Sequence, residues 1–165
     1  MMLALCSCAK REDYYVFSFN DYSITPGYDD VSFTRIAFDL NTPDTLEAYE
    51  ELKEIDLRFR NSYFGSVDII NPTNKQIDTK DRSIQKLTIY FNQLADYTFR
   101  IDGIELLDSV RENCDLFKGE YVERNGYACA FGKKVHGRKN IVILYGDIFA
   151  QDQDQLSHLE IYVEE

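Results

Sequence analysis

The chain has 165 residues, 44% of them apolar and 28% charged, with three prolines, a composition that suits one folded domain and excludes a disordered tail. Its 18 basic and 29 acidic side chains leave a formal charge of −11, which repels a phosphate backbone and argues against nucleic acid as a partner. No run of about 20 apolar residues occurs, so any membrane link is expected to be covalent.

Two of the four cysteines lie in the opening MMLALCSCAK. Leu5-Cys6-Ser7-Cys8 resembles a bacterial lipobox, with an aliphatic residue three places before a cysteine and a small residue directly before it. The competing register, Leu3-Ala4-Leu5-Cys6, puts Leu where the processing enzyme needs a small side chain. The resemblance implies a diacylglyceryl group on the sulfur of Cys8, loss of the residues before it, and an extracytoplasmic protein anchored to a bacterial membrane by lipid. Two features depart from the pattern. Cys6 stands where Ala, Ser or Thr is usual, and the apolar stretch MMLAL is only five residues, against roughly 7–15 in a signal. Residues 1–8 are therefore expected to be the truncated end of a lipoprotein signal, with a frayed terminus as the plain alternative. Residues 9–13, AKRED, form a tether, and 14–165 a single globular domain.

Within that domain strands are expected near 14–20, 54–60, 63–70 and 85–91, where apolar and polar residues alternate. Pro43 followed by DTLEAYEELK has the composition of a short helix. VSFTRIAFDL is ambiguous, since Phe33, Ile36, Ala37 and Leu40 have helical spacing while its β-branched and aromatic residues suit a strand.

The remainder is clearer. A strand over 97–102 ends at Asp102-Gly103. Leu106, Val110, Cys114 and Phe117 then recur on one helical face, with Asp102 as the expected N-cap. Strands follow at Tyr127–Lys133, Ile141–Tyr145 and Leu159–Val163, the first two joined at a hairpin tip marked by Gly137.

Two pairs of segments echo each other in the same order: YVFSFNDYSI (15–24) with YTFRIDGIEL (97–106), and QKLTIYF (85–91) with SHLEIYV (157–163). Such self-similarity signals a duplicated unit, here about 14–91 and 97–163. The expected fold class is α+β: an antiparallel sheet built from two tandem strand-helix-three-strand repeats, with helices packed on one face. This element order is similar to that of the β-lactamase inhibitor proteins and related small secreted or lipoprotein domains. No diagnostic motif accompanies the likeness, so no binding residue is carried over.

The remaining cysteines, Cys114 and Cys129, have two readings. They are either a disulfide closing a loop of about fifteen residues, which the exported-protein reading favours, or buried free thiols acting as small hydrophobes. Zinc is disfavoured by their spacing. Lys133, Lys134, His136, Arg138 and Lys139 form a basic hairpin tip, a candidate binding loop for an anionic polymer or acidic partner, or simply a solvated turn. Asp147, Asp152 and Asp154 share a loop that lacks the Gly of an EF-type calcium site, and Asp29 and Asp30 sit in a turn. GYACAFGKK lacks phosphate-loop spacing, and no G-x-S-x-G or H-E-x-x-H occurs. No catalytic residue, metal or cofactor is expected. The twelve Tyr and eleven Phe suit sheet packing, but a Tyr stripe on an uncovered sheet face would be a binding surface. The chain thus reads as a non-enzymatic binding domain whose partner is a protein or envelope component. The alternative is an enzyme or small-ligand carrier with a site of scattered Asp, Glu and Tyr.

Overall fold

The computed structural model describes residues 13–20, 22–27, 36–38, 42–59, 61–79, 82–91, 97–123 and 126–164. The lipidation candidate Cys8, the turn acids Asp29 and Asp30, and residues 31–35 lie outside the described residues.

In chain order the strands are β1 (Phe17–Phe19), β2 (Tyr22–Ile24), β3 (Ile36–Phe38), β4 (Thr45–Leu46), β5 (Glu51–Phe59), β6 (Ser62–Ile70), β7 (Ile77–Asp78), β8 (Ser83–Tyr90), β9 (Phe99–Ile101) and β10 (Ile104–Glu105). The helix α1 (Val110–Phe117) follows, then β11 (Glu120–Glu123), β12 (Tyr127–Val135), β13 (Arg138–Gly146) and β14 (Leu156–Glu164). Eight strands form one sheet in the order β11-β12-β13-β14-β8-β6-β5-β3, four form a second, β10-β9-β1-β2, and β4 pairs with β7.

The period-two patterning explains the layers. Val67, Leu87, Ile161 and Val142 lie side by side across four strands of the large sheet, and all are buried. Alternation sends these residues to one face and their neighbours to the other. The small sheet covers the apolar face: Phe19 meets Phe64 at 5.6 Å between ring centroids, Phe99 meets Phe91 at 4.8 Å, and Tyr15 meets Phe131 at 5.4 Å. Asn140, buried on β13, accepts the Tyr15 backbone N–H at 2.6 Å and so ties the layers together. Beside this layer α1 lies on β12, with Phe117 stacked on Phe131 at 4.6 Å. Each large side chain buried here contributes about 1.5–3 kcal/mol.

The expected α+β layout is therefore corrected. The protein is mostly β, several antiparallel sheets with one short helix among the described residues. Segments 15–24 and 97–106 turn back as hairpins through left-handed residues, Asn20 at φ 49° and Asp102-Gly103 at φ 50° and 80°. The hairpin occupies the chain up to Glu105, so the helix begins at Val110 and its N-cap is Ser109. Asp102 instead accepts the Val16 N–H at 2.8 Å.

The helix expected after Pro43 is also absent. Residues 45–46 are β4, Tyr49 turns through φ 58°, and β5 starts at Glu51. Tertiary contact overrides propensity here: the fully buried Asn71 side chain donates to the carbonyls of Leu46, Glu47 and Lys75, at 3.3, 2.8 and 2.6 Å. A helix over these residues would withdraw the first two carbonyls from it.

The segments that echo each other in sequence pair with each other in space. β1 and β9 run antiparallel about Ser18↔Arg100, flanked by Phe17↔Ile101 and Phe19↔Phe99. β8 and β14 run antiparallel about Thr88↔Glu160, flanked by Leu87↔Ile161 and Ile89↔Leu159. In both cases each residue faces the counterpart of its mirror position, which is the register of a local two-fold axis. The order β8-β6-β5-β3 on one side of that axis matches β14-β13-β12-β11 on the other.

Candidate functional site

With the small sheet and α1 on one face of the large sheet, the opposite face carries no described element. Register brings four ring-bearing side chains into one row there. Tyr145 on β13 is opposite His158 on β14, His158 is opposite Tyr90 on β8, and Tyr63 on β6 follows. The outward direction of Tyr145, His158 and Tyr90 follows from alternation, because Leu144, Leu159 and Ile89 beside them are buried inward, and a bulge at the buried Phe64 turns Tyr63 to the same side. Tyr145 and His158 stack at 4.5 Å with 9° between planes, His158 and Tyr90 lie at 5.5 Å, and Tyr90 and Tyr63 at 6.0 Å. The rings support one another like leaves in a stack.

The polar groups around this row are ordered. Tyr145 donates its hydroxyl to Glu160 at 3.2 Å, and Glu160 also pairs with Lys86 at 2.6 Å. Burial, then the charge and hydrogen bond of Glu160, push the Tyr145 phenol up to about 12. Burial also lowers the His158 imidazole, with Lys86 adding to the effect and Glu160 and Asp147 opposing it. Tyr63 is raised by burial and then by Tyr90, Asp56 and Glu54. At neutral pH Tyr63, Tyr145 and His158 are accordingly uncharged. The row offers aromatic area with hydroxyl and imidazole edges, and half-buried Ile141, Ile143 and Tyr162 adjoin it. Rigid amphipathic rings of this kind give contact area at low entropic cost.

The residues singled out in the sequence fall elsewhere. His136 and Gly137 form the β12–β13 tip at φ 50° and 88°. Lys133 reaches Asp102 at 3.2 Å and lies 4.3 Å over the Tyr15 ring, Lys139 pairs with Glu164 at 3.1 Å, and His136 lies 3.6 Å from Asp13. Lys134, opposite Lys139 in register, points to the other face from Lys133, and Arg138 is half-buried. The basic residues are thus divided between faces, and three of the five have acidic partners.

Cys114 and Cys129 are brought together, as two buried free thiols joined by a hydrogen bond. Asp154 caps the helix: it accepts from the Ser109 hydroxyl, from the Arg111 N–H at 3.1 Å and from the Tyr121 hydroxyl at 3.2 Å. Asp147 and Asp152 accept backbone N–H groups within their own loop. No cluster of three or more metal-ligating side chains occurs among the described residues.

The aromatic row was not readable residue by residue. Tyr63, Tyr90, Tyr145 and His158 are each ordinary strand residues, and only the inter-strand register joins them. Their one sequence signal is alternation beside inward apolar residues. No protein-family model, curated protein or solved structure matches this chain.

Proposed function

We propose that this protein is a lipid-anchored, extracytoplasmic, non-enzymatic binding domain that engages a protein or envelope component through the open face of its large sheet. The observation that carries this reading is the row Tyr63, Tyr90, His158 and Tyr145. A single exposed Tyr is common on any surface, whereas four adjoining rings across four strands, one pair stacked and two pairs tilted, make a continuous contact surface. Charges beside it are internally paired, as in Lys86 with Glu160 and Arg58 with Asp56, so a partner meets little uncompensated charge there. The anchor rests on the lipobox-like Leu5-Cys6-Ser7-Cys8.

Two measurements test the reading. Immobilised domain carrying Tyr63→Ala and Tyr90→Ala should lose a retained envelope species that the unmodified domain and a Tyr49→Ala control both keep; equal retention by all three would contradict it. Cys8→Ser in the exported protein should abolish incorporation of a labelled fatty acid and release the protein from membranes; unchanged labelling would remove the anchor from the proposal.

A further inference from the structure

A cavity of about 370 Å³ opens between the end of β8, the β9–β10 hairpin, the segment entering α1 and the start of β14. Its size falls in the range of small-ligand sites, roughly 300–1,000 Å³. Phe91 and Phe99, edge to face at 4.8 Å, form its wall with Leu106 and Leu156, and Glu105, Asp108 and Asp147 stand among its polar lining. Among the described residues, no lysine, arginine or histidine lines it.

The three carboxylates are differently engaged. Glu105 shares its charge with Arg100 at 3.6 Å. Asp147 uses Oδ1 to accept the Phe149 N–H at 2.9 Å, leaving its other oxygen. Asp108 holds Leu156 through its backbone carbonyl at 2.6 Å, and its carboxylate has no partner among the described residues. An anion entering this space meets the Asp108 and Asp147 carboxylates, with Glu105 offset by Arg100. A cation meets aromatic rings, whose faces attract positive charge, and a carboxylate ready for a charge-assisted hydrogen bond.

We infer that this cavity binds a small organic ammonium ion with an aryl or short alkyl body. The body lies against Phe91 and Phe99, and the ammonium faces Asp108 and Asp147. This site is separate from the ring row on the open sheet face and does not depend on it.

The test uses the full chain labelled with ¹⁵N, titrated at pH 7 with phenethylammonium, 2-phenylethanol and phenylacetate, which share a ring and differ in charge. Phenethylammonium should shift amides within 97–99, 105–108 and 155–157 to saturation. The alcohol should bind about tenfold more weakly, the loss of one charge-assisted contact, and phenylacetate should leave these amides unmoved. Asp108→Asn should weaken phenethylammonium about fivefold. Should that variant not fold, the unmodified chain still decides the matter, because raising NaCl from 20 to 300 mM should weaken binding. Equal binding of all three probes, salt-insensitive binding, or non-saturating shifts spread over the surface acids would each overturn the inference.

Discussion

Cys114 of α1 and Cys129 of β12 face each other sulfur to sulfur across the contact between the helix and the large sheet. Gly119 closes the space beside them, since a Cβ there would lie 2.6 Å from the Cys129 sulfur and 3.3 Å from that of Cys114. The Cys129 thiol is pushed up by burial first, then by Cys114 and Asp115, so Cys129 holds almost no reactive thiolate in the folded chain.

The first expectation follows from that pair. Folding in a buffer of small-molecule disulfide should link the two cysteines: the buffer disulfide leaves as two thiols while the protein loses two hydrogens. The bond should stabilise the domain by about 3 kcal/mol, the chain-entropy value for a loop of this size. Already folded, reduced protein should oxidise far more slowly in the same buffer. Peptide mass mapping after alkylation reads both results, and alkylated Cys114 and Cys129 after oxidative folding would exclude the bond.

Asp154 fastens the start of α1 to a loop more than forty residues away. Its carboxylate serves the Ser109 hydroxyl, the Arg111 N–H and the Tyr121 hydroxyl, while Ser109 Oγ accepts from Glu112 N–H at 3.1 Å. Asp154→Ala should cost about 2–3 kcal/mol in urea unfolding, as expected for hydrogen bonds to a charged group. Ser109→Ala should cost about 1 kcal/mol as a lost N-cap. The double variant should cost less than the sum, because the two share a network. Hydrogen exchange of the α1 amides should rise in each variant.

His158 supplies a pH dependence of definite sign. Its folded pKa lies below the ordinary 6.5 because burial between Tyr145 and Tyr90 disfavours the imidazolium. The unfolded chain therefore binds the proton first. The contribution of neutral His158 is complete above about pH 6.5 and is lost as pH falls through the lower folded value. Unfolding free energies at pH 7 and pH 5.5 should differ more for the unmodified protein than for His158→Phe, which keeps the stack without the titration. Equal differences would contradict this.

Asn71 accounts for one clear divergence between sequence and structure. DTLEAYEELK has helix-forming residues, but Asn71 holds the carbonyls of Leu46 and Glu47, and its Oδ1 accepts the Thr73 N–H at 2.9 Å. A contact between residues 25 positions apart leaves no local trace. Asn71→Ala, which strands these buried groups, should lower stability by about 2–4 kcal/mol in urea unfolding; a change below about 0.5 kcal/mol, the size of an ordinary surface substitution, would remove Asn71 from this role.

Elsewhere alternation was enough. The expectations for 63–70, 85–91 and 141–145 fall within or close to β6, β8 and β13, because inward Val67 and Leu87 alternate with polar neighbours and Val142 lies in the short β-branched, apolar run 141–144. The layer covering them was not legible. Whether 15–24 and 97–106 feed helices or form their own sheet depends on pairing between segments about eighty residues apart. The ring row shares this origin, since Tyr63, Tyr90, Tyr145 and His158 come from four strands.

The open-face proposal is tested most directly by placing photoreactive benzoylphenylalanine at position 63, 90 or 49 of the exported protein and irradiating intact cells. Position 49 is a control on the turn before β5, 64% exposed and away from the row. The expected result is one discrete adduct from positions 63 and 90, suppressed by excess unmodified domain, and none from position 49. The same adducts from all three positions, or none from 63 and 90, would contradict the proposal.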